Sequence, residues 1–399
     1  MTDAFPHGNR RLTMFDLTRR DSLKLAGLAP VVASAGSARA APRKAKPMTE
    51  ILQYVACALQ ITAPAVNRAP DRATARAQMM ETILRIGGQV RSTRIFLQQY
   101  TGAPLKLVVL PEYFMTSYPG PETLAAWADK AAIRIPDSPE IEALGKIAQA
   151  EGIYLAGNAY EDDPNFPGLY FQACFIIDPS GEVVLRYRRL NSMFAPTPHD
   201  VWAKYLDLYG YDAVFPVART AIGKLAAIAS EEILYPEIAR MMGLKGAEVF
   251  VHPTSEIGSP LRTQKAIARQ ARAFENLAYV VSANTAGISG TAMPLASADG
   301  NSQVLDYKGA VLAESNAGET FTAFAELDIA DVRRIRRKPG MTNYLARQRL
   351  DLFAPGYAGT TVHAANGMME GGAVTIPARE YFVRKQQEII DRMIKAGIL

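Results

Sequence analysis

A chain of 399 residues, 49% hydrophobic and 21% charged, has globular composition and is long enough to bury a sizeable core. The formal charge is +5, but residues 1–40 hold six Arg or Lys against three Asp or Glu, leaving 38 against 36 in the rest. A body this close to neutral lacks the electrostatic footprint of a nucleic-acid binder.

At the N-terminus, Thr18-Arg19-Arg20-Asp21-Ser22-Leu23-Lys24 has the twin-arginine pattern, followed by the mildly apolar LAGLAPVVASAGSA. Ala38-Arg39-Ala40 supplies a small-x-small cleavage site, so residues 1–40 are expected to be a signal peptide cleaved after Ala40. The apolar run is too short and weak to span a bilayer stably. The expected product is a periplasmic protein, exported already folded.

EILQYVACAL, 50–59, reads as a first strand, and Asp71 to about Tyr100 as a helix loosened by Gly87-Gly88. LKLVVL, 105–110, is the continuous apolar run of a strand covered on both faces, and it stops at Pro111-Glu112. Ser138-Pro139 caps the next helix, with Ile141, Leu144, Ile147 and Ala148 on one face. IYLAGNA and YFQACFII follow as strands, then a turn at Asp178-Pro179-Ser180-Gly181 and the strand EVVLRYR. Residues 191–213 are a polar and aromatic excursion. KLAAIA, 224–229, leads into Ser230-Glu231-Glu232 and a helix from Pro236. EVFVH, a helix at about 261–275 and AYVVSA continue the alternation, and QVLDYKGAVLAE and TFTAFAELD read as paired strands.

This pattern predicts an α/β layered domain over 48–340. Arg333, Arg334, Arg336 and Arg337 with Lys338 read as a solvated helix face or a subunit contact. The extension 341–399 carries a Gly- and Ala-rich loop and a helix near Ala378–Lys395. With little core of its own, it is expected to pack on a partner subunit. Cys57 and Cys174 sit in apolar strand-like runs and read as buried free thiols. No His-x-His cluster, phosphate-binding glycine loop or paired Cys-x-x-Cys is present, so neither metal nor cofactor is expected.

LKLVVLPEYFMTSY, GEVVLRYRRL and IGKLAAIASEEILYPEIAR, with ALQITAP, GNAYED and ARAFENLAYVVSANTAG, together resemble the nitrilase superfamily of carbon–nitrogen hydrolases. The resemblance runs in order to about residue 340. It implies an αββα sandwich whose subunits pair, and a Glu–Lys–Cys centre. Matched by motif, the Glu falls on Glu112, the Lys on Arg189 and the Cys on Ser230. For the family's frequent second glutamate no Glu occurs between Glu182 and Glu231, and Asp200, in PTPHDVW, is the nearby carboxylate candidate.

The exchange is not conservative. A thiol ionises near a pKa of about 8.5, whereas a serine alcohol needs a base to hold its proton in the transition state. Arginine keeps its charge at every relevant pH and can grip a carboxylate through two parallel hydrogen bonds. Glu112 is therefore expected as base, Arg189 as oxyanion stabiliser and Ser230 as nucleophile. Tyr113, Phe114, Glu231 and His252 are expected to bind substrate, with His199 shaping the pocket mouth. A rescue of Ser230 by His199 or His252 lacks a Gly-x-Ser-x-Gly elbow and an evident third member. The expected activity is hydrolysis of a small amide or related C–N bond, the ligand being an amide, nitrile or carboxylate. The alternative is an inactive protein of this fold that binds such a ligand or a partner subunit. The resemblance also implies a homodimer or larger homo-oligomer.

Overall fold

The computed structural model of the protein describes residues 49–259 and 261–399. The twin-arginine segment and its cleavage site lie outside the described residues. Among the described residues, no helix is long and apolar enough to cross a membrane.

The chain begins with strands β1 (Gln53–Ala58) and β2 (Ile61–Pro64), then the long helix α1 (Arg72–Thr101). Asp71 caps α1, its carboxylate accepting from Thr74 N at 2.8 Å. The helix runs unbroken through Gly87-Gly88, where loosening was expected. A Cβ at Gly87 would stand 3.3 Å from the Ile147 side chain, so this glycine permits close helix packing. Strand β3 (Leu105–Val109), helices α2 (Leu124–Ala131) and α3 (Pro139–Glu151), and strands β4 (Tyr154–Glu161), β5 (Phe171–Ile177) and β6 (Val183–Arg188) follow. The excursion after β6 carries the short helix α4 (Trp202–Tyr209).

The second half opens with β7 (Ala218–Thr220) and β8 (Gly223–Ala227), and a 3₁₀ turn over Ser230–Leu234 leads into α5 (Pro236–Leu244). Then come β9 (Val249–Pro253), α6 (Gln264–Asn276), β10 (Tyr279–Ala283) and β11 (Thr285–Ser289). Strands β12 (Gln303–Leu305), β13 (Val311–Glu314) and β14 (Phe324–Asp328) lead to α7 (Ile329–Arg337). The extension contains α8 (Ala354–Ala358) and α9 (Glu380–Lys395).

Two six-stranded mixed sheets, ordered β14-β1-β3-β4-β5-β6 and β13-β12-β10-β9-β8-β7, form the centre. In each, three neighbouring strands are parallel: β1, β3 and β4 in one, β8, β9 and β10 in the other. The alternation along β1 and β3 explains the layering. Tyr54, Ala56, Ala58, Leu107 and Val109 pack against the second sheet, while Val55, Cys57 and Val108 face α1 and α3. Helices α5 and α6 cover the outer face of the second sheet through Ile238, Met242 and Ala273. The result is an αββα sandwich with two mixed sheets flanked by helices, as the resemblance implied.

Two departures from the sequence expectation have physical causes. TFTAFAELD does not pair with QVLDYKGAVLAE: β12 and β13 form their own hairpin, while β14 crosses to the other sheet and pairs antiparallel with β1. A local pattern sees hairpins but not such a crossover. The basic helix α7 is not simply a solvated face. Arg336 turns inward to the carbonyls of Leu277 (3.1 Å) and Asn276 (3.0 Å), and Arg333 pairs with Glu248 at 2.7 Å. The extension also makes contacts within its own chain: Asn366 N donates to His199 O and Met368 N to Asp200 O, both at 2.9 Å, with Met368 and Phe382 buried in the core. Cys57 and Cys174 are buried free thiols on strands that are not neighbours.

Candidate active site

The C-terminal ends of β3, β8 and β9 converge on one cavity of about 450 Å³, the usual location for function in parallel layers. Pro111 ends β3, and Glu112 N donates to Thr254 O at 3.2 Å, tying the two sheets together at the cavity floor. Glu112 is buried. Its Oε1 accepts from Gln172 Nε2 at 2.6 Å and Arg189 Nη1 at 3.4 Å, and its Oε2 accepts from Ser255 N at 3.1 Å.

Arg189 follows β6 directly. Its Nε donates to Asn191 O at 2.7 Å, its Nη1 to Gln172 as well as Glu112, and its Nη2 to Glu231. It thus holds Glu112 through one contact, not two parallel ones, and shares its charge with Glu231. Burial works against the Arg189 charge, but Glu231 and Glu112 outweigh it and keep the pKa above the ordinary value.

Ser230 lies at the elbow between β8 and α5. Its φ of 49° is left-handed, a conformation a non-glycine residue adopts at a cost. Tyr113, beside Glu112, is also left-handed at φ 38°. Two strained residues therefore line the same cavity.

Two buried groups brace the elbow. Glu232 Oε1 accepts from Leu190 N (2.7 Å) and Asn191 N (2.9 Å), and its Oε2 accepts from Tyr187 OH (2.7 Å). It therefore locks the elbow to the segment that carries Arg189. Burial outweighs these donors and raises its pKa to about 7. His252 Nε2 lies 2.8 Å from Ser230 O, and Nδ1 lies 2.8 Å from Ser282 Oγ. Burial pushes the His252 pKa well down, so the ring is neutral. Because Ser230 O only accepts, the single ring proton sits on Nε2 and Nδ1 accepts from Ser282.

Of the residues expected to bind substrate, Tyr113 and Glu231 line the cavity. His252 is instead buried behind the elbow, holding a carbonyl and not the Ser230 hydroxyl. Phe114 belongs to the core against the outer helices. Asp200 closes the Thr197 turn, accepting from Thr197 N at 2.9 Å and Oγ1 at 2.8 Å. With His199 it borders a second cavity beside α9, so neither stands in the Ser230 cavity. Besides Glu112, the carboxylates that line the Ser230 cavity are Glu122 and Glu231.

Sequence reasoning missed Lys265. This residue, in the first turn of α6, places Nζ 3.1 Å from Ser230 Oγ, 3.3 Å from Thr254 Oγ1 and 2.9 Å from Ser255 O. One signal was available. Lys265, Arg269, Arg272 and Asn276 recur at helical spacing on α6, and a wholly polar stripe reads as a solvated face. In the fold it points inward: Arg269 and Asn276 are fully buried, and Arg272 binds Ile233 O at 2.9 Å and Leu234 O at 3.2 Å. Among the described residues, no group of three or more His, Cys, Asp or Glu could hold a metal ion.

Comparison with known proteins agrees with this architecture. Residues 57–337 match the family model "Carbon-nitrogen hydrolase". A formamidase of Bacillus cereus (strain Q1) is 28% identical over 285 residues, covering 71% of this chain and 76% of the relative. Among solved structures, Nit3 of Saccharomyces cerevisiae, described as a member of branch 10 of the nitrilase superfamily, superposes with a TM-score of 0.55. It is 20% identical, covering 73% of this chain and 96% of that one. An amidase from Nesterenkonia sp. superposes at 0.52 and 19% identity, covering 76% and 96%. With a family match over most of its length and the fold to go with it, the chain belongs to the carbon–nitrogen hydrolase family.

Proposed function

We propose that the protein hydrolyses the C–N bond of a small amide, with Ser230 as nucleophile in place of the family's cysteine. The observation that carries this reading is the strained elbow, which holds Ser230 in a cavity lined also by Glu112, Arg189, Glu231 and Lys265. Glu112, oriented by Gln172 and Ser255, is the carboxylate of the centre. Arg189, in place of the family's lysine, supplies fixed positive charge beside Glu112 and Glu231.

The alternative, an inactive receptor for a carboxylate, draws less support. Four hydrogen bonds from Arg189 already go to the protein's own acceptors, so little of its fork is open to a ligand. The relatives' names point to amides. A water occupies about 30 Å³ in the liquid. A cavity of about 450 Å³, walled by Tyr113, Tyr118, Tyr160, Tyr170 and Phe194, therefore has room for an amide larger than formamide. Export to the periplasm through the twin-arginine signal is part of the proposal.

The test is ammonia release from a panel of aliphatic and aromatic amides by the purified mature protein, beside Ser230→Ala. Release by the wild type and its loss in the variant, by about 100-fold or more, is expected. Absence of release from every amide would refute the reading.

A further inference from the structure

We infer that Lys265 is the general base of this centre, forming a Ser–Lys pair with Ser230; the inference rests on the hydrolase reading above.

The hydrogen-bond geometry carries it. The hydrogen bonds that reach Ser230 Oγ involve Lys265 Nζ at 3.1 Å and Thr254 Oγ1 at 3.5 Å. Arg189 is directed at Glu112, Gln172, Glu231 and Asn191, and Glu112 at Gln172, Arg189 and Ser255. His252 holds the Ser230 carbonyl. Among the described residues, neither a carboxylate nor an imidazole is hydrogen-bonded to the hydroxyl.

The three contacts of Nζ fit a neutral amine, which has two N–H bonds and one lone pair. Ser255 O is purely an acceptor, so at 2.9 Å it takes one N–H. Thr254 Oγ1, at 3.3 Å, takes the other. The lone pair then faces Ser230 Oγ, whose proton it receives. Burial favours this state and lowers the Lys265 pKa below the ordinary value of 10.5. Glu112 and Glu256 act against that shift, and Arg269 and Arg189 act with it. Glu231, Glu122 and Arg379 also line the cavity, and neutral His252 lies behind the elbow.

The steps balance without a redox partner. Ser230 Oγ bonds to the amide carbonyl carbon, its proton passes to Lys265 Nζ, and the carbonyl π pair moves to oxygen. As that pair returns, the C–N bond breaks and the leaving nitrogen takes the proton from Nζ, leaving an acyl ester on Ser230. Water then adds to the ester carbon and gives a proton to Nζ. The proton returns to Ser230 Oγ as the acid departs. The sum is amide plus water to carboxylic acid plus amine or ammonia.

The experiment measures ammonia release and covalent capture of Ser230 by a fluorophosphonate, the latter followed by intact mass and peptide mapping. Capture forms an O–P bond, expels fluoride and sends the same proton to the base. Wild type, Lys265→Met and Lys265→Arg are compared. Both variants should lose at least about 100-fold in both rates, because arginine keeps the charge but does not give up its proton. If Lys265 only positions charge, Lys265→Arg will stay within about threefold of wild type, which overturns the inference. Should Lys265→Met not fold, the other variant and the wild-type pH profile decide. Capture by the wild type should rise with pH to a plateau whose midpoint lies below that of an ordinary lysine. A flat profile overturns the inference. Wild-type turnover that survives both substitutions defeats only the base assignment, whereas absence of both turnover and capture in the wild type defeats the hydrolase reading itself.

Discussion

Glu232 is enclosed beneath the elbow with three donors around its carboxylate, yet burial still carries its pKa from 4.5 to about 7. The sign of the consequence is definite. Between those two values the folded protein binds more protons than the unfolded chain, so this residue's stabilisation is complete below about 4.5. It is lost as pH rises through about 7. Glu232→Gln imitates the protonated form: its oxygen still accepts the two backbone N–H groups, and its amide donates to Tyr187. Relative to wild type, the variant should gain on the order of 3 kcal/mol between pH 4.5 and 8. Thermal melts of both proteins across that range measure it. Parallel curves would mean that Glu232 does not titrate in the folded state. The acidic character of this position was legible in the sequence, but its burial and three partners were not, since they come from β6 and the segment after it.

Helix α6 shows how an element can organise a site from outside it. Lys265 reaches Ser230, Arg269 meets Glu256 and Gln303, and Arg272 supports the end of the Ser230–Leu234 turn. The carbonyls of Ile233 and Leu234 close a helical turn without intrahelical partners, and a cation there is favourable in both hydrogen bonding and dipole. Arg272→Ala leaves both carbonyls without that donor and should cost about 2–4 kcal/mol in urea unfolding. A loss below about 0.5 kcal/mol would place the elbow's support elsewhere. The helix itself was predicted at about 261–275 and is found at Gln264–Asn276. Its polarity was misleading, because periodicity identifies a face without saying whether water or protein covers it.

For the whole molecule, the exposed apolar side chains mark where further association belongs. Leu244, Ile267 and Phe274 project from α5 and α6, and Leu352, Phe353, Tyr357 and Val383 from the extension. The extension docks on its own chain through Asn366, Met368 and Phe382, yet leaves these residues in water. We expect a homodimer or larger assembly. Protein recovered from the periplasm should begin at Ala41 and show, by light scattering, a mass at least twice that of the mature chain. A monomer, or an uncleaved chain retained in the cytoplasm, would contradict these two expectations respectively.

The sequence by itself determined the layered α/β class, the strand ends at Glu112 and Ser230, and the family. These depend on local signals: apolar runs of strand length, Pro111 and Pro236 as stops, and words of motif in a preserved order. Only the tertiary structure decided which groups meet Ser230. Lys265 lies 35 residues away on another element, His252 turns to the carbonyl, and Arg189 is drawn off by Glu231 and Gln172. The physical reason is that a hydrogen bond between distant segments depends on how sheets and helices stack, and residue spacing along the chain carries no record of that.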